Sequence, residues 1–478
     1  MLAEEKRALL RDGLAVVLAR CLASLIVWSS GFRAVSDDDF ARVVLAQSWA
    51  QSPQLDPTGT SWLPLPFWLT GGAMRLAGNT SLAFARGVAF SQAILSSLLL
   101  LAVARILVRD RRAALVGALC AVVFPWSARL GVATVPELPT AALSLFAVAT
   151  LASSSGRLRL AGGVALLAAS WSRYEPWPLA IAFVLAQFVS GFGARPVSLR
   201  ARVAATGFAL VGPMAWLVHN HFTHGDALHF LTRVSAYKRA IGGDDSFASL
   251  AYPLALVREE PELCLLALGA FAWVRGSTLR GFRAPLVALT AMVVALSLAA
   301  ARGGAPTHHS GRALLAVWLL FALYVGAKAY VAFERPGGAR LGFAALMFVA
   351  LSLGIFVLRP WYGRLDSMAH RESETRIGAR TRALVDGGPV LLEVRDFGFF
   401  AIQAGSGAPD LFVLDRTLDP LDPSAGSSFI DPGTLRERIA RTGARYVVAT
   451  ETPCTLFLGE PRIAAGTWRL WSSPSPAP

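Results

Sequence analysis

Two stretches of the chain, Ala284–Ala301 and Leu341–Leu358, run for eighteen residues each without one charged side chain. Segments of that kind belong in the hydrocarbon of a bilayer, where about 20 apolar residues in a helix cross and every backbone polar group is satisfied within the helix. Further apolar blocks fall near 14–35, 82–107, 113–130, 134–152, 160–172, 176–193, 203–219, 261–274 and 311–333. The sequence therefore predicts a polytopic α-helical membrane protein of about eleven spans. Composition agrees, with 54% of 478 residues hydrophobic and 16% charged, where soluble domains carry about a quarter charged.

A net charge of +14 invites a nucleic-acid partner, but its distribution argues against one. Arg109, Arg111 and Arg112, then Arg157 and Arg159, then Arg195, Arg200 and Arg202, then Arg275, Arg280 and Arg283 all sit in short links between apolar blocks. That is the positive-inside pattern, which sets orientation and meets anionic lipid heads. With Lys6, Arg7 and Arg11 in the cytoplasm, eleven spans put the C-terminus outside. Loops near 33–80, 131–136, 173–176, 220–260 and 302–311 are then outside as well. Cys21, Cys120, Cys264 and Cys454 make neither a disulfide framework nor a zinc spacing. Cys21 follows an apolar run like a lipoprotein cleavage site, but Arg20 directly before it opposes that reading. The first apolar stretch is read as a retained span.

The expected division is a membrane domain over 1–360, with its long first outer loop at about 33–80, and an extracytoplasmic α/β domain over 361–478. In the loop, Phe40, Val43, Val44 and Gln47 followed by Trp49 suggest a helix lying in the interface, and Trp62–Trp68 supply aromatic anchors. Beyond Pro360, strand-like runs at Pro389–Val394, Asp410–Leu414 and Tyr446–Ala449 alternate with helix-like 366–385 and 434–443. No phosphate loop or dinucleotide fingerprint is present.

The chemistry-bearing residues gather in the outer loops. Asp37, Asp38 and Asp39 are consecutive carboxylates whose repulsion calls for a cation or a substrate hydroxyl. One could serve as general base, or they could bind a divalent ion, or one could cap the helix that follows. Glu137 opens the fourth span, where the helix dipole favours an acid and where an ionisable group at a membrane rim often functions. In the turn Ser172-Arg173-Tyr174-Glu175, Arg173 either pairs with Glu175 or faces a phosphate, which its forked donors suit. His308, His309 and Arg312 could grip a phosphate or be a solvated loop, and adjacent histidines suit a metal less well. Lys238 and Arg239 are weaker phosphate candidates.

Together these placements resemble the membrane glycosyltransferases of the C fold, including the protein mannosyltransferases and aminoarabinose transferases. The residues that carry the resemblance are Asp37-Asp38-Asp39-Phe40, Thr134-Val135-Pro136-Glu137, Ser172-Arg173-Tyr174-Glu175 and His308-x-x-x-Arg312. The last departs from the family pattern in its middle positions and has Ala313 for the aromatic. The resemblance covers about residues 10–330. It implies a polyprenyl-phosphate-linked sugar donor, a lipid, glycan or protein acceptor, and inverting transfer at the outer face of a bacterial plasma membrane. Asp37 or Asp38 would be the base with Glu137 beside it. Asp39, Arg173, Tyr174, Glu175, His308, Arg312 and Lys238 would meet substrate. A divalent metal ion is left open, since some relatives use one.

The competing reading is a transporter, flippase or non-enzymatic scaffold for a lipid-linked saccharide. A transporter would place charges near the bilayer midplane between internal repeats. This sequence shows no repeat, and its polar clusters lie toward one face.

Overall fold

The computed structural model describes residues 2–59, 62–189, 194–240, 248–273, 281–303, 310–334, 370–419, 421 and 426–473. Among the described residues, each expected apolar block up to residue 333 falls largely on helix, and the last, 341–358, lies outside them. In chain order the membrane part contains α1 (Leu2–Ser29), α2 (Asp38–Gln51), α3 (Leu65–Ala77), α4 (Leu82–Leu107), α5 (Arg111–Val123) and α6 (Pro125–Leu130). It continues with α7 (Glu137–Ala149), α8 (Gly156–Ser170), α9 (Pro176–Phe188), α10 (Leu199–His224), α11 (His229–Ala240) and α12 (Ala251–Glu259). The last four are α13 (Pro261–Trp273), α14 (Arg283–Ala301), α15 (Ser310–Ala313) and α16 (Leu315–Phe333).

Among the described residues, α4, α10, α14 and α16 are long and apolar enough to cross a membrane by themselves. Their roles differ. The apolar window of α16 is 83% buried inside the protein and that of α10 only 22%, so α16 is the central helix and α10 turns a face outward. Val203, Phe208, Val211, Met214 and Val218 on α10 are exposed, as lipid-facing side chains are. At the centre, α16 lies against α5 so closely that Gly117 faces Gly326. Small residues permit such approach where no hydrophobic effect drives helices together. The expected 113–130 block is broken at Phe124, whose extended backbone is what a following proline demands.

Two arginines of this part are buried staples. Arg20 donates to Ser97 Oγ, Ser127 Oγ and the Ser127 carbonyl, tying α1 to α4 and α6. Arg159, expected among lipid heads, is fully buried and donates to the carbonyls of Leu151, Ser153 and Arg195.

The C-terminal unit is α/β, as expected. It comprises α17 (Glu372–Leu384), β1 (Val390–Leu392), α18 (Phe399–Ser406), β2 (Phe412–Leu414), α19 (Pro432–Thr442), β3 (Tyr446–Thr450), β4 (Ile463–Ala465) and β5 (Trp468–Ser472). The sheet order is β2-β1-β3-β5-β4. β1 runs parallel to β2 and β3, with Val390 opposite Phe412 and Tyr446, while β5 is antiparallel to β3 and β4. Alternation of side chains gives the sheet two covered faces. Val390, Leu392, Tyr446 and Val448 pack with Ile377 and Ile402 of α17 and α18. Leu391, Val447, Ala449 and Trp471 pack with Leu435 and Ile439 of α19.

The helix expected in the first outer loop is α2, but its apolar face does not meet lipid. Phe40, Val43 and Val44 pack with Met74 of α3 and with Ala401 and Ala404 of α18. Gln47, fully buried, donates from its amide to the carbonyls of Thr80 and Ala404 at 2.8 and 3.0 Å. The C-terminal domain has taken the place the membrane was expected to fill.

Candidate active site

The site begins where α1 ends. Gly31 adopts φ 90°, turning the chain off the helix, and Arg33 donates to the carbonyls of Trp28 and Phe32 near the helix end, a favourable place for a cation. The aspartates follow, and each has a different environment.

Asp39 is 3% exposed. Its Oδ2 accepts from the backbone N–H groups of Val35 and Ser36 at 3.0 and 3.2 Å, and its Oδ1 from Thr134 N at 2.9 Å. It reaches backward and sideways to hold the loop against the 131–136 turn and does not cap α2. Burial pushes its carboxyl up to about 6, against the pull of Arg312 and these donors. That value suits a base, but geometry comes first, and both oxygens are engaged.

Asp37 is gripped by Arg371, whose Nε and Nη2 each donate at 2.9 Å. The same guanidinium reaches Glu374 and Asp396. Asp38 is the most open of the three, with a side chain 41% exposed that accepts from Arg312 at 3.2 Å.

Behind Asp38, Arg312 also donates to Ser36 Oγ at 2.7 Å and lies 3.4 Å from Glu137. Glu137 is 2% exposed and accepts from Arg173 at 2.7 Å. Arg173 turns its other donors onto Glu175, so the pairing across the turn does form. Tyr174 stacks on Phe230 with ring centres 4.2 Å apart and accepts from Trp216 Nε1. Burial raises its hydroxyl above the ordinary range, which keeps it neutral.

Asp37, Asp38, Arg173, Tyr174, Glu175 and Arg312 line one cavity of about 630 Å³, roofed by α11 and by Phe397, Phe399 and Asp419 of the C-terminal domain. That is the size of a small-molecule site. Glu137 stands behind its wall and Asp39 under its floor. His308 lies outside the described residues, as does the side chain of Lys238.

Sequence reasoning missed three contributors. Arg42 lines the cavity with its guanidinium 4.4 Å from the Trp62 ring, while Nε and Nη1 are buried without a hydrogen-bond partner among the described residues. Its signal was present, because it follows Asp38 by one helical turn. Arg371, and Asp419, which pairs at 2.6 Å with Arg233 of the charged segment expected to cap the cavity or face water, had no local signal. For a divalent cation the donor set fits poorly. The carboxylates Asp37, Asp38, Glu137 and Glu175 each face arginine, Asp39 faces N–H groups, and among the described residues no three His, Cys, Asp or Glu converge.

No family model and no curated protein sequence matches the chain. Solved structures do. The chain is similar to ArnT from Cupriavidus metallidurans bound to undecaprenyl phosphate, at TM-score 0.62 and 13% identity over 96% of this chain and 98% of that one. The apo form of the same protein gives 0.60 at 12% identity. The oligosaccharyltransferase of Archaeoglobus fulgidus gives 0.54 at 15% identity, over 92% of this chain and 69% of the other. The chain has the C fold shared by these membrane glycosyltransferases.

Proposed function

We propose that this protein transfers a sugar from a polyprenyl-phosphate-linked donor to an acceptor hydroxyl or amine at the outer face of the membrane, with inversion and with Asp38 as the base. Eleven spans and an extracytoplasmic C-terminal domain complete the reading. The observation that carries it is the 630 Å³ cavity in which one open carboxylate stands among arginines. ArnT, a neighbour in fold, binds undecaprenyl phosphate, and this cavity suits the same kind of headgroup.

Asp38 takes the acceptor proton as the acceptor atom bonds to the anomeric carbon from the face opposite the phosphate. The bond from that carbon to the phosphate oxygen breaks, and its electron pair leaves with the polyprenyl phosphate. A phosphate leaves ionised, so it needs cations more than a proton. Arg42, with two nitrogens that meet no partner among the described residues, and Arg312 supply that charge. Glu137 and Glu175 hold Arg173 and Arg312 in place, Asp37 anchors the C-terminal roof, and Tyr174 packs the donor side. His308 and Lys238 remain proposed headgroup contacts.

The test is Asp38→Asn, assayed as polyprenyl phosphate released from a panel of lipid-linked sugars in membranes with equal folded protein. Loss of a positioned base lowers the rate on the order of a hundredfold to ten-thousandfold. Release unchanged from wild type would remove Asp38 as the base, and no release by wild type above membranes lacking the protein would remove the enzymatic reading and favour a scaffold or flippase.

A further inference from the structure

On the far side of the Asp37–Arg371 pair lies a second cavity of about 260 Å³, lined by Arg33, Phe40, Arg86, Arg371, Glu372, Thr375 and Arg376. Arg371 is neutralised by Asp37, Glu374 and Asp396. The other three guanidiniums make no ion pair among the described residues, and the carboxylate that acts on Arg86 is that of Asp39, outside the lining. Arg33 spends one nitrogen on two carbonyls. Arg86 and Arg376 make no hydrogen bond or ion pair among the described residues, and Glu372 is the one carboxylate in the lining. Like charges converging in a partly dry cleft repel unless an anion joins them. Planar forked donors on several sides, with a threonine hydroxyl, match the oxygens of a phosphate.

We propose that this cleft is a binding site for a phosphate group, distinct from the sugar-transfer cavity and independent of whether the protein transfers sugar. Arg33 follows the last turn of α1 and Arg86 lies in the second turn of α4, so both stand at helix ends, at the depth of lipid headgroups. Arg371 directly precedes α17, and Thr375 and Arg376 lie in it, so the cleft sits in the seam between membrane part and C-terminal domain. The source of the phosphate is a lipid headgroup at that seam or a free phosphate entering from water.

The experiment uses the full chain in nanodiscs of phosphatidylcholine, whose choline neutralises its own phosphate. Two probes are titrated, phosphatidic acid doped into the disc and inorganic phosphate in the buffer, against wild type and the Arg86→Gln/Arg376→Gln double variant. Wild type should bind one probe, and the double variant should bind it at least roughly tenfold more weakly, the loss expected for about 1.4 kcal/mol of contact. Phosphatidic acid as the bound probe identifies a lipid headgroup, and inorganic phosphate identifies a soluble one. Glu372→Gln keeps all four arginines and should tighten binding of the same probe. Equal binding by wild type and the double variant, or no gain in a folded Glu372→Gln protein, would overturn the proposal.

Discussion

Changing Gly326 to alanine places one methyl group where α5 and α16 touch. A Cβ built there lies 2.6 Å from Cys120 Sγ, 2.9 Å from Gly117 Cα and 2.9 Å from the Val116 carbonyl oxygen. Ordinary carbon contacts lie at about 3.5–4.0 Å, so the helices must separate by several tenths of an ångström or more, and two of the three obstacles are backbone. Overpacking of this kind costs about 1–3 kcal/mol. The same substitution also removes glycine's backbone entropy, which stabilises a helix by roughly 0.5–1 kcal/mol. Gly207 on α10 provides the control, since a Cβ there meets nothing within 4 Å. Both variants gain the propensity term, so the difference between them isolates the packing cost. The assay is thermal unfolding of the purified protein in detergent, followed by tryptophan fluorescence. Gly207→Ala should melt at or above wild type and Gly326→Ala below it. Cys120→Ala added to Gly326→Ala should recover the loss only in part, because the backbone contacts remain. If Gly207→Ala and Gly326→Ala melt together, the close approach of α5 and α16 is not what the structure describes.

Two more expectations concern the seam with the C-terminal domain. Asp37→Asn and Arg371→Ala, measured singly and together by unfolding, should show a coupling of about 0.5–3 kcal/mol, and strictly additive effects would dissolve the pair. Gln47→Leu leaves the Thr80 carbonyl unmet and takes one of two donors from that of Ala404, at a cost of about 1–3 kcal/mol. It should therefore speed proteolytic release of the C-terminal domain, and an unchanged cleavage rate would show that the amide does not hold it.

The membrane helices were legible because their apolar runs are long, so no alternative period competes. The site was half legible. Carboxylates clustered between apolar blocks stand out, but nothing local divides labour among Asp37, Asp38 and Asp39, because the deciding neighbours are Arg371, Arg312 and Thr134. The amphipathic face of α2 was visible too, yet periodicity reports that a face is apolar and not what covers it. Ala401 and Ala404 on the overlooked α18 do so here. β4 and β5 escaped for a different reason. Three and five residues around the positive-φ Gly466 are too short to stand out from loop, although an apolar run, a glycine and a second apolar run form a hairpin signal.

The Asp37–Arg371 pair joins residues 334 apart in sequence, and that span has a meaning in time. The ribosome delivers the aspartates among the first residues of the chain and the arginine among the last quarter. Through most of synthesis Asp37 stands at the membrane edge without its partner, and the cavity lacks the part of its roof that the C-terminal domain supplies. A chain cut short before α17 keeps every described membrane helix and lacks the closing piece. Completion of the cavity thus waits on completion of the polypeptide, which keeps an unfinished copy from presenting a finished site.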